Sequence, residues 1–429
     1  MRDATPESSR LAAVWRVESR RIVATLTRGL GGDLGLAEDS AQEALVAALE
    51  TWPRDGVPAN PGAWLQATAR NRALDGIRHS KMADRRHADL AHELELGPRG
   101  SDEPAALIDA RVAAEIDDEV LRLIFMTCHP ALGREVRVAL CLRSVAGLST
   151  PEIARAFLVS EATVAQRIVR AKRTLRERRV EFEVPAPGER PARVGAVLEV
   201  VYLVFNEGYA ATSGDRLIRR DLCREAQRLG RTVAALLPEE PEALGLLALI
   251  ELQASRLAAR EDEAGDPIPL DRQNRSRWDR TLIAHAEGVL ERAEALPRGL
   301  GPYGLQARIA AVHARATSFE ATDWARIAAT YLALAGVAPS PIVELNRAVA
   351  VGMAEGPERA LEIVAGLEAG GALAGYHLLP AVRGDLLERL GRPEEAATAF
   401  IAATELCKNE RERDFLQRRA ESASRTLGR

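Results

Sequence analysis

The sequence predicts an all-α protein. Aromatic residues make up only 4% of its 429 residues although 47% are hydrophobic. Apolar positions recur at helical spacings, and the β-branched alternation of half-buried strands is almost absent. The length suggests two to four domains. There is no run of 18 apolar residues to span a membrane, and the N-terminus, "MRDATPESSRLAAVW", lacks a charged-then-apolar leader. Cys128, Cys141, Cys223 and Cys407 are scattered, with no C-x-x-C pair. These features lead us to expect a cytoplasmic chain with reduced thiols, no metal site and no cofactor.

The net charge of −4 hides an asymmetry. Residues 134–179 hold eleven basic and four acidic side chains, and residues 62–87 hold six and two, which leaves about −15 for the remainder. Two basic modules joined to an acidic back half suggest nucleic-acid binding in front and a different task behind.

The first strongly amphipathic element runs from Asp33 to Trp52, with Ala41, Leu45, Ala48 and Leu49 expected inward. Glu38, Asp39, Gln42 and Glu43 are expected to form an acidic outer patch, near a helix N-terminus whose dipole favours acid. "PRDGVPANPG" then reads as a loop and "AWLQATARNRALDGIRH" as a second helix, small-sided at Ala69 and Gly76. On it Trp64, Arg70, Asn71 and Arg78 combine a ring with cations and donors, a mix that holds single-stranded DNA by stacking and phosphate contact. Trp64 also suits a core position, which leaves Arg70 and Asn71 as the stronger contact candidates.

"TPEIARAFLVSEATVAQRIVRAKRTLRE" reads as two short helices around a sharp corner. Thr150 is expected to cap the first, with Pro151 following, and Ser160 to cap the second. Val164, Ile168, Ala171 and Leu175 form one buried stripe. The other face offers Thr163, Gln166, Arg167, Arg170 and Arg173, residues suited to base edges and phosphates in a major groove. This is a helix-turn-helix.

"AEDSAQEAL", "NPGAWLQATARNRALDGIRH" and the helix-turn-helix ending "ATVAQRIVRAKRTL", in that order and spacing, resemble the sigma-70 family. The likeness is to its extracytoplasmic-function (ECF) members, which keep only regions 2 and 4. The resemblance implies region 2 over residues 1–85, a flexible linker over 86–114 and region 4 over 115–180. It implies that Asp39, Gln42 and Glu43 dock on the clamp helices of the β′ subunit of core RNA polymerase, with the β subunit as a further partner. The loop from Pro53 to Pro61 and the helix from Trp64 to Arg78 would melt and read the −10 promoter element, and the helix from Ser160 to Arg176 the −35 element.

Residues 190–429 read as a further helical domain. "NRAVAVGMAEGPERALEIVAGL" and "DLLERLGRPEEAATAFIAATEL" share a pattern with a period of 36 between Pro357 and Pro393, close to the spacing of tetratricopeptide repeats. Ala396, Phe400 and Ala403 occupy the expected packing positions. Earlier, Asn206, Glu207, Tyr209 and Asp215 could form a small pocket or catalytic cluster, or hydrogen-bonded structure at a helix end. "FNEGY", "CREAQRLGR" and "LGLLALIELQASRLAAR" resemble the extension of one ECF group, implying a regulatory or holoenzyme-stabilising role, with a regulatory protein as a further partner. The expected function is promoter-specific initiation without covalent chemistry. The alternatives are a ligand-sensing helix-turn-helix regulator that acts without polymerase, and an enzyme built around Asn206 to Asp215. Neither needs the acidic patch.

Overall fold

Alanine rather than leucine sets the first packing layer. The computed structural model describes residues 6–80, 118–211 and 217–425, so the expected linker 86–114 and Asp215 lie outside the described residues. α1 (Pro6–Gly29), α2 (Leu34–Asp55) and α3 (Pro61–Ser80) come first. α2 buries Ala37, Ala41, Ala44 and Ala48 and ends that face on Trp52. Short side chains of this kind let helices approach closely. α3 meets it with Leu65, Ala69, Ala73 and Ile77, all fully buried. Ala69 therefore belongs to the packing face, and a Cβ at Gly76 would lie 3.2 Å from Leu36 Cδ1. The smallness of α3 serves its contact with α2.

The structure corrects several expectations here. Leu49 is 49% exposed and Leu45 only half-buried, because the alanine stripe takes the inward arc and Leu49 lies about 100° past Ala48. Glu38, expected outside, is 3% exposed. Pro53 lies inside the last turn of α2, which ends at Gly56 with φ 83°, so the loop is shorter than Pro53 to Pro61.

The described residues form two compact units, divided between Val200 and Val201. The first continues with α4 (118–127), α5 (Arg134–Ser144), α6 (Thr150–Phe157), α7 (Glu161–Glu177) and the start of α8 (Arg190–Tyr209). Glu119 on α4 accepts a 2.6 Å hydrogen bond from Thr25 and pairs with Arg28 at 2.7 Å. Arg193 donates to the Phe125 carbonyl at 3.0 Å, and Glu199 pairs with Arg134 and Arg137 at 2.5 and 2.9 Å. Gly147, with φ 71°, passes so close to α1 that a Cβ would meet Ser19 Oγ at 2.5 Å.

The second unit is a tetratricopeptide-like succession of paired helices. It comprises the end of α8, then α9 (Arg220–Leu236), α10 (Pro241–Ala254), α11 (Arg280–Ala295), α12 (Pro302–Arg315) and α13 (Trp324–Val337). α14 (Pro341–Ala354), α15 (Pro357–Gly370), α16 (Leu378–Arg389), α17 (Pro393–Leu406) and α18 (Glu410–Arg425) complete it. From α9 onward each helix packs on the next, and α10 also packs on α12. Proline opens α10, α12, α14, α15 and α17, where its missing N–H costs nothing. Ala396, Phe400 and Ala403 are buried as expected. α10 is apolar nearly all round, as a central helix should be. Its Gly245 lies against the backbone of Gly304.

Trp278 anchors the polar loop before α11 and is buried in the α10–α12 core. The Arg275 guanidinium lies 4.7 Å from the Trp278 ring centroid and donates to the carbonyls of His313 and, at 2.8 Å, Ala316. A cation thus meets the negative end of α12. His313 packs edge-on to Trp324 at 5.1 Å between ring centroids, and burial, then Arg256 and Arg275, push its imidazole down to about 4. The unfolded chain therefore takes up a proton that the folded one refuses between pH 6.5 and about 4. Stability from this group is complete above pH 6.5 and declines by up to about 3 kcal/mol as pH falls to 4. Chemical denaturation of wild type and His313→Gln at pH 7 and pH 4.5 should show that slope in the wild type only. Equal pH dependence in both would remove His313 as its source.

Candidate nucleic-acid interface and docking face

The corner of the helix-turn-helix is built from local chemistry. Ser149, one residue before the expected Thr150, caps α6. Its backbone N–H donates to Glu152 Oε2 at 2.8 Å, and its hydroxyl accepts from Glu152 N at 3.4 Å. This reciprocal box satisfies two N–H groups at once. Leu158 turns the chain in the left-handed region, with φ 50°. Ser160 then caps α7, accepting from Thr163 N at 3.1 Å.

Val164, Ile168, Ala171 and Leu175 are all buried, which fixes the outward side of α7. Gln166, Arg170 and Arg173 are exposed there, and Thr163 and Arg167 half-buried. Thr163 shares its hydroxyl with the Ser160 cap at 2.8 Å, Arg167 pairs with Glu135 of α5, and Arg173 pairs with Glu177 at 2.6 Å. A groove of about 800 Å³ runs along this face. It includes Val169, 65% exposed, which sequence reasoning missed. The available signal was its place three residues after Gln166. An apolar side chain among amide and guanidinium groups can meet a thymine methyl.

On α3 the buried stripe turns Arg70, Asn71 and Arg78 outward, all exposed. Asn60 caps the helix, accepting from Ala63 N at 3.1 Å. Trp64 is half-buried and meets the buried Trp52 edge-on, with 5.6 Å between centroids. Its ring is partly committed to the core, while Arg70 and Asn71 share one cationic, hydrogen-bonding surface.

The outer side of α2 carries a second kind of surface. Asp39 and Glu43 are exposed and Gln42 half-buried. Beside them lie Val46, 52% exposed, and Leu49. With Leu11, Trp15 and Leu45 these apolar residues line one side of a cavity of about 490 Å³, whose other side is Arg143 and the start of α6 from Ser149 to Glu152. Glu38 turns the other way. It accepts from Ser144 Oγ and pairs with Lys172 of α7 at 2.7 Å, while Lys172 also approaches Asp39 at 3.6 Å. Nothing local in the sequence announces this link across more than a hundred residues.

The described residues thus hold two separately built cationic helices, α3 and α7, and an acidic face with exposed apolar residues on α2. Residues 17–82 match the profile of Sigma-70 region 2 and residues 122–175 that of Sigma-70 region 4. The chain belongs to the sigma-70 family. Sigma factors bind core RNA polymerase and promoter DNA, and they initiate transcription without being enzymes. Residues 193–294 match a family of unknown function, DUF6596. An uncharacterized protein of Rhizobium meliloti is 45% identical over 385 residues, 90% of this chain and 89% of its own. A probable ECF RNA polymerase sigma factor, SigI, of Mycobacterium tuberculosis is 29% identical over 176 residues, 41% of this sigma chain and 57% of its own. A probable RNA polymerase sigma factor, RfaY, of Xanthomonas campestris pv. campestris is 28% identical over 173 residues, 39% and 40% of the two chains. This sigma chain thus spans about half the length of the two sigma factors it matches.

At Asn206, Glu207 and Tyr209 the described contacts are hydrogen bonds and ion pairs near the end of α8. Asn206 is exposed, and Glu207 pairs with Arg219 at 2.8 Å. The Tyr209 hydroxyl donates to Gln253 at 3.0 Å, and the Arg260 guanidinium lies 3.6 Å from its ring centroid. Burial pushes the Tyr209 hydroxyl up, but Arg256 and Arg260 outweigh it and hold it below the ordinary tyrosine value. Arg260 also donates to the Tyr209 carbonyl, so these groups lock the end of α8. Among the described residues no helix is long and apolar enough to cross a membrane.

Proposed function

We propose that this chain is an alternative sigma factor of the ECF type, acting in the cytoplasm with core RNA polymerase. One observation carries the reading. α2 leaves acidic and apolar residues side by side on its outer face, a surface that a DNA-binding regulator acting alone has no use for. Asp39, Gln42 and Glu43, with Leu45, Val46 and Leu49, dock on the β′ clamp helices. Arg70, Asn71 and Arg78 hold the opened −10 strand, with Trp64 as a partly buried stacking edge. Thr163, Gln166, Arg167, Arg170 and Arg173 read the −35 element, with Val169 among them. Region 2 extends to residue 85, the linker covers 86–114 and region 4 covers 115–180. The helical extension, 190–429, regulates the factor or stabilises the holoenzyme, and its repeats offer a surface for a regulatory protein.

The deciding test reconstitutes the full-length protein with core polymerase and sequences the transcripts started in vitro. Initiation confined to one promoter class, dependent on the protein, is the expected result. Tight duplex binding without polymerase, together with no new transcripts, would favour a ligand-sensing regulator and overturn this reading.

A further inference from the structure

We propose that the C-terminal unit carries a binding site for a zinc-class divalent metal ion, held by His377, Cys407 and Glu412. The three come from different elements: His377 just before α16, Cys407 at the end of α17 and Glu412 in the first turn of α18. Their donor atoms all lie within 4.8 Å of one another. His377 Nε2 lies 3.3 Å from Glu412 Oε1 and Cys407 Sγ 3.9 Å from Glu412 Oε2. Tetrahedral zinc, with bonds of about 2.0–2.3 Å, sets ligand atoms roughly 3.3–3.7 Å apart. Small side-chain adjustments therefore close the triangle on an ion, and water takes the fourth position.

The chemistry of the donors narrows the ion. Magnesium and calcium take oxygen ligands, whereas a thiolate, an imidazole and one carboxylate suit zinc and its borderline neighbours. Cys407 is buried, and its thiol donates weakly to the Asn409 carbonyl at 3.5 Å and approaches the Glu412 carboxylate at 3.9 Å. His377 Nε2 is shielded from solvent and makes no hydrogen bond, despite its approach to the carboxylate. A shielded nitrogen without a hydrogen-bond partner is a cost that an ion would remove. Cys407 would bind as thiolate, releasing its proton to solvent.

A support for the ligands is already in place. Asn409 is buried; its amide donates to the Ala211 carbonyl at 3.1 Å, and its Oδ1 accepts from Glu412 N at 3.2 Å. An ion here would tie α16, α17 and α18 together and, through Asn409, to the segment that follows α8.

The test uses full-length protein, stripped with EDTA and titrated with Co²⁺ as a spectroscopic probe. One equivalent should give a thiolate-to-cobalt charge-transfer band and tetrahedral visible bands, both removed by one equivalent of Zn²⁺. Cys407→Ser should lose the charge-transfer band, whereas Cys141→Ser, another buried thiol, should keep it. Glu412→Gln should weaken cobalt binding at least about tenfold. If Cys407→Ser proves unfolded by circular dichroism, His377→Gln, which leaves the thiol in place, should still show loss of the tetrahedral bands. Absence of a charge-transfer band in the wild type, or its persistence in folded Cys407→Ser, overturns the proposal.

Discussion

Replacing Asp39 and Glu43 together by lysine should abolish stable association with core RNA polymerase. The side chains are 72% and 62% exposed, and their approaches to Lys172 at 3.6 Å and Arg72 at 3.8 Å are of the screened kind that adds little to stability. In a docked complex the same carboxylates would be desolvated against a partner, where losing one member of a charge pair costs about 2–5 kcal/mol. Two reversals should therefore weaken binding by at least about a thousandfold. Lysine at position 39 would also repel Lys172, so Asp39→Asn with Glu43→Gln serves as a gentler pair with the same direction of effect. Leu49→Asp should weaken docking as well, yet change stability by no more than about 0.5 kcal/mol, because Leu49 lies outside the core. Fluorescence titration with core enzyme, beside chemical denaturation, measures both quantities. Holoenzyme formation at normal affinity by the double variant would remove α2 as the docking helix.

The second large effect is expected at Arg170. It stands exposed on α7, and substitution by alanine should cost about 1–3 kcal/mol at the −35 element if its contact is bidentate to a base. That is roughly 5- to 150-fold in affinity. Arg167 must first leave Glu135, so Arg167→Ala should lose less, the broken pair offsetting part of the gained contact. A residue that touches only phosphate behaves differently. Its loss lowers affinity evenly across sequences and reduces the salt slope by about one unit. Anisotropy titrations on cognate and scrambled −35 duplexes at several salt concentrations separate the two. Unchanged discrimination in Arg170→Ala would place base reading elsewhere.

Local chemistry was legible in the sequence, and distant pairing was not. The stripe from Val164 to Leu175, the Ser160 cap and the helix starts at Pro357 and Pro393 all follow from residues within a turn or two of one another. Leu45 and Leu49 were misplaced because hydrophobicity alone cannot say whether a leucine faces its own core or a partner. The alanines that pack inside are weaker hydrophobes than the leucines outside. Glu38 reads as one more surface acid until Ser144 and Lys172 arrive from far along the chain. Residues 188–429 hold 31 basic and 35 acidic side chains, and residues 1–187 hold 27 of each. The acid that balances the basic modules is therefore not concentrated in the back half. Much of it lies in residues 88–133, with ten acidic and three basic side chains, directly between the two modules.

Lys172 lies on α7, the proposed reading helix, yet it pairs with Glu38 and Asp39 of α2, the proposed docking helix. A partner that claims Asp39 takes away part of what fixes that lysine. A nucleic-acid phosphate that draws Lys172 away leaves the buried Glu38 with only the Ser144 hydroxyl, a costly state for a carboxylate. The two surfaces thus share one free-energy account. By linkage, whatever factor polymerase exerts on the affinity of α7 for DNA, DNA must exert on the affinity of α2 for polymerase. Any closed population held by this lysine lowers the apparent affinity for both by the same fraction.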